Sequence, residues 1–136
     1  MKSGSINNVL IVDDEPAIRI HQQVLLRKSS FNVGYIYEAA NGIDAIDMLS
    51  RNRIDLILTD INMPVMNGME FLNIIHNHHQ FRDIPTVAVT TERDEQLLNM
   101  LAFWGHGYIR KPLDLELLEL QLSKFYGIKN EYYLHG

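Results

Sequence analysis

The stretch LILTDINMPVMNG, Leu56 to Gly68, decides how the chain is read. Four mostly apolar residues run straight into a carboxylate, Asp60. A stiff turn with Pro64 and Gly68 follows. A short apolar run ended by turn residues reads as a buried strand. That strand delivers an acid to its own C-terminal end. The question is what a carboxylate does there, and why the turn behind it is so constrained.

Working outward, the same grammar recurs. Asn8 to Val12 (NVLIV) is a β-branched apolar run that stops at Asp13 and Asp14. Pro16 then fits the first turn of a helix, where a missing N–H costs nothing. That helix is expected to run to Lys28, with Ile20, Val24 and Leu25 on its apolar face. Tyr35 to Glu38 is a second strand. Asn41 followed by Asp44 has capping-box spacing, and Ile43, Ile46, Met48 and Leu49 give the next helix its apolar side. Asp55 to Thr59 is the third strand. Asn67 with Glu70 repeats the cap spacing before a helix with Phe71, Ile74 and Ile75 inward. Thr86 to Thr90 is the fourth strand, and Thr91 with Asp94 has the cap spacing again. Tyr108 to Arg110 is the fifth strand. Asp114 caps a final helix striped by Leu115, Leu118 and Leu122.

Strand then helix, five times over, with short and nearly continuous apolar strands, points to an α/β fold. Its parallel sheet is covered on both faces, and its crossovers are right-handed. In such a sheet all strand C-termini share one edge, and ligands bind there. Asp13, Asp14, Asp60, Thr90 and Lys111 therefore converge, although they are far apart in sequence. Clustered carboxylates repel one another, and a hard divalent cation with oxygen ligands relieves that. Beside a lysine, this set suits phosphoryl chemistry, with an aspartate as nucleophile.

Composition excludes other classes. The formal net charge is −5 and no basic stripe is visible, which argues against nucleic-acid binding. There are no cysteines, hence no thiol catalysis or cysteine-held metal. No run approaches the ~18 apolar residues of a membrane span. The first residues carry no signal-peptide pattern, so the cytoplasm is the expected location. No Walker loop, GxGxxG or Gly-x-Ser-x-Gly elbow competes. His76, His78 and His79 read as a solvated helix end.

These residues resemble one family. Asp13-Asp14, Asp60 followed by Met63-Pro64 and Gly68, then Thr90, Tyr108 and Lys111-Pro112, are similar to the pattern of response-regulator receiver domains in two-component signalling. The resemblance spans Asn8 to about Phe125. It implies a flavodoxin-like sheet of order 2-1-3-4-5. It also implies an N-terminal extension over 1–7, a receiver domain over 8–126 and a short tail over 127–136.

By the resemblance, Asp60 is the phosphoacceptor. Asp13, Asp14, Asp60 and the backbone carbonyl of Asn62 hold Mg²⁺, Lys111 pairs with the phosphoryl oxygens or the carboxylate, and Thr90 and Tyr108 form the switch. Asn62, Thr91 and Glu92 modulate the lifetime of the acyl phosphate; the Asn and Glu pair also occurs in the chemotaxis response regulator, which implies a short-lived signal. Lys111-Pro112 is expected to be cis. The implied partners are a histidine kinase or histidine phosphotransfer protein and a downstream target protein, with the chain a monomer or weak homodimer. The protein would catalyse its own phosphorylation and slow dephosphorylation without turning over an external substrate.

Two features depart from the family pattern. Thr91 stands where a small residue is usual; its methyl crowds the phosphoryl site, or its hydroxyl caps the fourth helix, the blander reading. Trp104-Gly105 stands where Gly-Ala is common, and Trp104 is either a partner anchor or core filling. Two other functions compete with the phosphorylated receiver. A docking module that has lost phosphorylation is argued against by the intact acidic set and Lys111. A small aspartyl-phosphate phosphatase is argued against by DDEP in place of a DxD pair.

Overall fold

The computed structural model describes residues 4–126 except Asn67. The elements are β1 (Gly4–Val12), α1 (Pro16–Lys28), β2 (Phe31–Ala39), α2 (Gly42–Arg51) and β3 (Leu56–Thr59). They continue with α3 (Gly68–Asn77), β4 (Thr86–Thr90), α4 (Glu95–Phe103), β5 (Gly107–Arg110) and α5 (Leu115–Tyr126). The strands form one sheet of order β2-β1-β3-β4-β5, and every pair in it is parallel. The fold is flavodoxin-like, with helices on both faces.

The apolar strand runs are continuous because both faces are covered. Val9 and Ile11 of β1 join Leu56 and Leu58 of β3 and Val87 and Val89 of β4 in a layer with Leu26, Leu118 and Leu122 from α1 and α5. Their neighbours Leu10, Val12 and Ile57 turn the other way, onto Ala45, Leu49, Phe71 and Ile75 of α2 and α3. Ala88 belongs to a smaller group with Ile61, Leu72 and Leu101 on the α4 side. Period-two alternation thus persists, but both sets are apolar.

Two strands are longer than their apolar runs. β1 begins at Gly4 rather than Asn8, and β2 at Phe31 rather than Tyr35; the extra residues pair with each other, Gly4 with Phe31 and Ile6 with Val33. Polar residues such as Ser5 and Asn32 inside those segments hide the strand pattern, because they point to solvent at the sheet margin. The α1 stripe also differs from expectation. Ile20 is 60% exposed and Val24 43%, while Gln22 and Leu26 are buried. Ile43 on α2 is exposed as well. Leu25 packs against the core as expected, but the inward face of α1 turns away from Ile20 and Val24 toward Gln22 and Leu26.

The caps follow simple chemistry. The Asn41 side chain accepts from the Asp44 amide at 2.9 Å, and Asp114 accepts from the Leu117 amide at 2.8 Å. The expected Asn67 cap and the GIKNEYYLHG tail lie outside the described residues. At its C-terminal end α4 closes in a Schellman motif. The His106 amide donates to Leu101 O and the Gly105 amide to Ala102 O. Gly105 takes φ 84°, the left-handed conformation that such an ending needs.

That ending buries His106. Its Nε2 has no hydrogen-bond partner among the described residues. Burial first, and the charge of His76 second, lower its pKa from 6.5 to about 4.

Leu26→Ala should cost ~2–5 kcal/mol in urea unfolding, the range for a buried leucine, whereas Ile20→Ala should stay within ~0.5 kcal/mol. Equal losses would refute the α1 phase. The depressed His106 pKa has a definite sign. The unfolded chain binds the extra proton, so this contribution is complete above pH 6.5 and is lost as pH falls toward about 4. Unfolding free energy measured across that window should fall less steeply in His106→Leu.

Candidate functional site

Main-chain bonds first set the strand ends beside one another. The Asp13 amide donates to Ala39 O, the Asp60 amide to Val12 O, and the Lys111 amide to Thr90 O. Each functional residue is thus the first one past its strand, held by the neighbouring strand. The side chains then close the edge. Asp13 is wholly buried and Asp60 nearly so, while Asp14 is exposed. Lys111 reaches between the two buried acids, with Nζ 2.8 Å from Asp13 Oδ2 and 2.9 Å from Asp60 Oδ2. Burial alone would lower the pKa of its ammonium. The bonds and charges of both carboxylates outweigh that and raise it above the ordinary lysine value, so Lys111 is a fixed cation at neutral pH.

The remaining carboxylate oxygens take backbone donors. Asp13 Oδ1 accepts from the Glu15 amide at 2.9 Å. Asp60 Oδ1 accepts from the amides of Ile61 and Asn62, at 2.7 and 3.2 Å. Asp13, Asp14 and Asp60 each offer one oxygen within 4.8 Å of the others. Three carboxylates of this hardness fit a divalent cation with oxygen preference. No second group of this kind occurs among the described residues, and His76, His78 and His79 do not form one.

The turn after Asp60 explains its own residues. A Cβ at Gly68 would overlap the Asp60 carbonyl oxygen and Ile61 Cα. The Gly68 amide donates to Ile61 O at 2.7 Å. The first turn of α3 therefore sits directly on the backbone that carries Asp60, and only glycine permits it. Val65 has φ 69°, a strained conformation for a β-branched residue. Met63 and Met66 on either side pack into the α2–α3 core and hold the turn closed.

At the far side of the site, Thr90 is buried and its Oγ1 accepts from the Glu92 amide at 3.2 Å. Half-buried Tyr108 donates its hydroxyl to the Glu92 carbonyl at 3.2 Å. Thr91 is exposed and does not cap α4. Asp94 does, accepting from the amides of Gln96 and Leu97 at 2.9 and 3.5 Å. The expected cap was three residues too early because Glu92 Oε1 satisfies the amides of Arg93 and Asp94 instead. Trp104 caps α4 at its C-terminal end, half-buried, and stacks on His76 with centroids 4.6 Å apart. It packs against the cluster of Ile61, Leu72, Ala88 and Leu101, and His76 is correspondingly not a free, solvated side chain. Its neighbour Phe103 is 88% exposed. The Lys111-Pro112 peptide is cis, as expected.

Sequence reasoning missed Arg19. Its Nη1 donates to Asp13 O at 2.7 Å and its Nε pairs with Glu38 at 2.9 Å. Nothing in the spacing of α1 marks it, since Glu38 comes near only once β2 lies beside β1.

The response regulator receiver domain family matches residues 9–123, and the chain belongs to that family, a component of two-component signalling. It is 34% identical over 119 residues to the chemotaxis protein CheY-3 of Vibrio cholerae, covering 87% of this chain and 90% of that protein. A CheY homolog of Campylobacter jejuni is 29% identical over 123 residues, covering 88% and 92%. Among solved structures, the chemotaxis response regulator CheY4 of Vibrio cholerae superposes with a TM-score of 0.74 at 30% identity, covering 88% of this chain and 98% of that one. A two-component response regulator from Cytophaga hutchinsonii, with TM-score 0.79 and 23% identity over 90% of this chain and 98% of its own, shares the fold. No helix among the described residues is long and apolar enough to cross a membrane.

Asp94→Ala should cost about 1 kcal/mol, as loss of an N-cap does, and Thr91→Ala less than ~0.5 kcal/mol. Thermal unfolding of the two variants checks this; the reverse order would return the cap to Thr91.

Proposed function

We propose that the chain accepts a phosphoryl group on Asp60 from a histidine kinase or histidine phosphotransfer protein, with Mg²⁺, and signals by contact with a downstream protein. The observation that carries this reading is Lys111 bonded to both Asp13 and Asp60, with Asp14 completing the acidic cluster. An Asp60 oxygen attacks phosphorus and an acyl phosphate forms. The phosphorus–nitrogen bond of the donor phosphohistidine breaks, and the imidazole leaves with the electron pair and takes up a proton. Asp13, Asp14, Asp60 and the Asn62 carbonyl would hold Mg²⁺, which when bound offsets charge on the phosphoryl oxygens. Lys111, kept protonated, supplies a second positive charge from the protein itself. The Ile61 and Asn62 amides orient the Asp60 carboxylate.

Thr90 and Tyr108 are the proposed switch. Both end on Glu92, one on its amide and one on its carbonyl. A Thr90 hydroxyl that turns to a phosphoryl oxygen releases the Glu92 amide and disturbs the Tyr108 contact. The result is a shift between two packings of the α4–β5 side. Asn62, Thr91 and Glu92, which border the site, would set how long the acyl phosphate lasts. Self-phosphorylation and slow self-dephosphorylation are the proposed chemistry, in the cytoplasm, by a monomer or weak homodimer.

Intact-mass measurement after incubation with Mg²⁺ and a small phosphodonor tests the reading. One phosphoryl adduct is expected, labile to base and hydroxylamine. It should be lost in Asp60→Asn and on chelation of the metal. If neither small donors nor a panel of phosphotransfer proteins label the chain, phosphorylation is abandoned and a docking role takes its place.

A further inference from the structure

Asp14 presents a problem of positioning. It is the exposed member of the acidic cluster, and its carboxylate makes no hydrogen bond among the described residues. Asp13 and Asp60 are held by Lys111 and by backbone amides. An untethered side chain can be aimed only by the backbone on either side of it. Both flanking peptides are held. The Asp14–Glu15 peptide donates its N–H to Asp13 Oδ1 at 2.9 Å. The Asp13–Asp14 peptide offers its carbonyl to Arg19 Nη1 at 2.7 Å. Arg19 is itself fixed at its Nε by Glu38, 2.9 Å away at the end of β2, and its side chain is only 17% exposed.

We propose that Arg19 is a positioning residue for divalent-cation binding, acting through the Asp13–Asp14 peptide to aim Asp14 at the acidic cluster. The inference rests on the metal-assisted reading of the site. Arg19 touches neither the cation nor the phosphoryl group. Its guanidinium suits the task because one planar fork serves two acceptors at once, the Asp13 carbonyl just past β1 and the Glu38 carboxylate on β2. A lysine ammonium lacks that planar fork and would hold the two acceptors less rigidly. The strap also joins α1 to the two strand ends that carry Asp13 and Glu38. Partners that orient metal ligands from outside the coordination shell commonly matter about tenfold or more for metal affinity.

The charge of Arg19 gives the test its sharpness. A cation beside an acidic cluster opposes Mg²⁺ binding by repulsion. Removing the charge alone would tighten binding; removing the strap would weaken it. The two effects have opposite signs. Isothermal titration of Mg²⁺ into the full chain, wild type against Arg19→Met, separates them. The unfolding midpoint in chelator identifies conditions in which each variant stays folded. The expected result is a dissociation constant raised roughly tenfold in Arg19→Met, partly recovered in Arg19→Lys. Glu38→Gln, which leaves Arg19 in place but loosens it, should fall between. Mg²⁺ affinity in Arg19→Met equal to or tighter than wild type overturns the inference, even with a lowered unfolding midpoint, since that is the signature of a purely structural residue or of charge alone. Asp14→Asn is the control for the site itself. If wild type binds Mg²⁺ no better than Asp14→Asn, the metal reading fails and the Arg19 inference with it. If only the Arg19 variants match wild type, the positioning role alone is lost.

Discussion

Two carboxylates lie buried side by side at the C-terminal edge of the sheet, and the ammonium of Lys111 between them makes that tolerable. A buried carboxylate without a partner is costly enough to change its protonation or loosen the fold around it. Lys111 reaches both from β5, across β4, because the parallel order brings the ends of β1, β3 and β5 to one edge. The backbone bonds from Asp13 to Ala39, Asp60 to Val12 and Lys111 to Thr90 set those ends in line. The chemistry of the edge and the packing of the strands below it are therefore one problem, solved jointly.

Much of this was legible from residue order. Strand-then-helix repetition with short continuous apolar runs gave the layer architecture, and the acids and lysine fell at strand ends by counting. The sheet order came from family resemblance, and the observed order β2-β1-β3-β4-β5 agrees with it. What stayed hidden has a common physical cause. The first residues of β1 and β2 pair only with each other, and buried Ile6, Phe31 and Val33 alternate there with exposed Ser5, Asn7 and Asn32, so no continuous apolar run marks them. Ile20 and Val24 look inward by hydrophobicity, yet Gln22 takes the inward place, because helix phase is set by where the sheet lies. Thr91 and Asp94 both offer capping oxygens; the choice between them depends on Glu92 folding back onto the two amides after it. Arg19 was silent because its partners are on two strands.

The loop after Asp60 combines features that normally weaken a protein. A valine sits at positive φ, and glycine, a poor helix former, takes the first position of α3. Each is explained by proximity. Helix α3 must start against the carbonyl of Asp60, and the backbone has little room to choose. Local stability is given up so that the Ile61 and Asn62 amides face the carboxylate. Strain of this sort collects at functional sites and is held in place by the packing around it, here Met63 and Met66.

The chain has a single tryptophan, and it sits at a junction. Trp104 lies flat against His76 from α3 and edge-on to His106 from the link between α4 and β5, with ring centroids 4.6 and 6.2 Å away. Imidazolium quenches indole emission more strongly than neutral imidazole does. The molecule thus carries its own optical gauge of the joint between α3, α4 and β5, the side on which Thr90 and Tyr108 meet Glu92. Any rearrangement there changes the colour or brightness of one fluorophore, without a label and without disturbing the acidic edge.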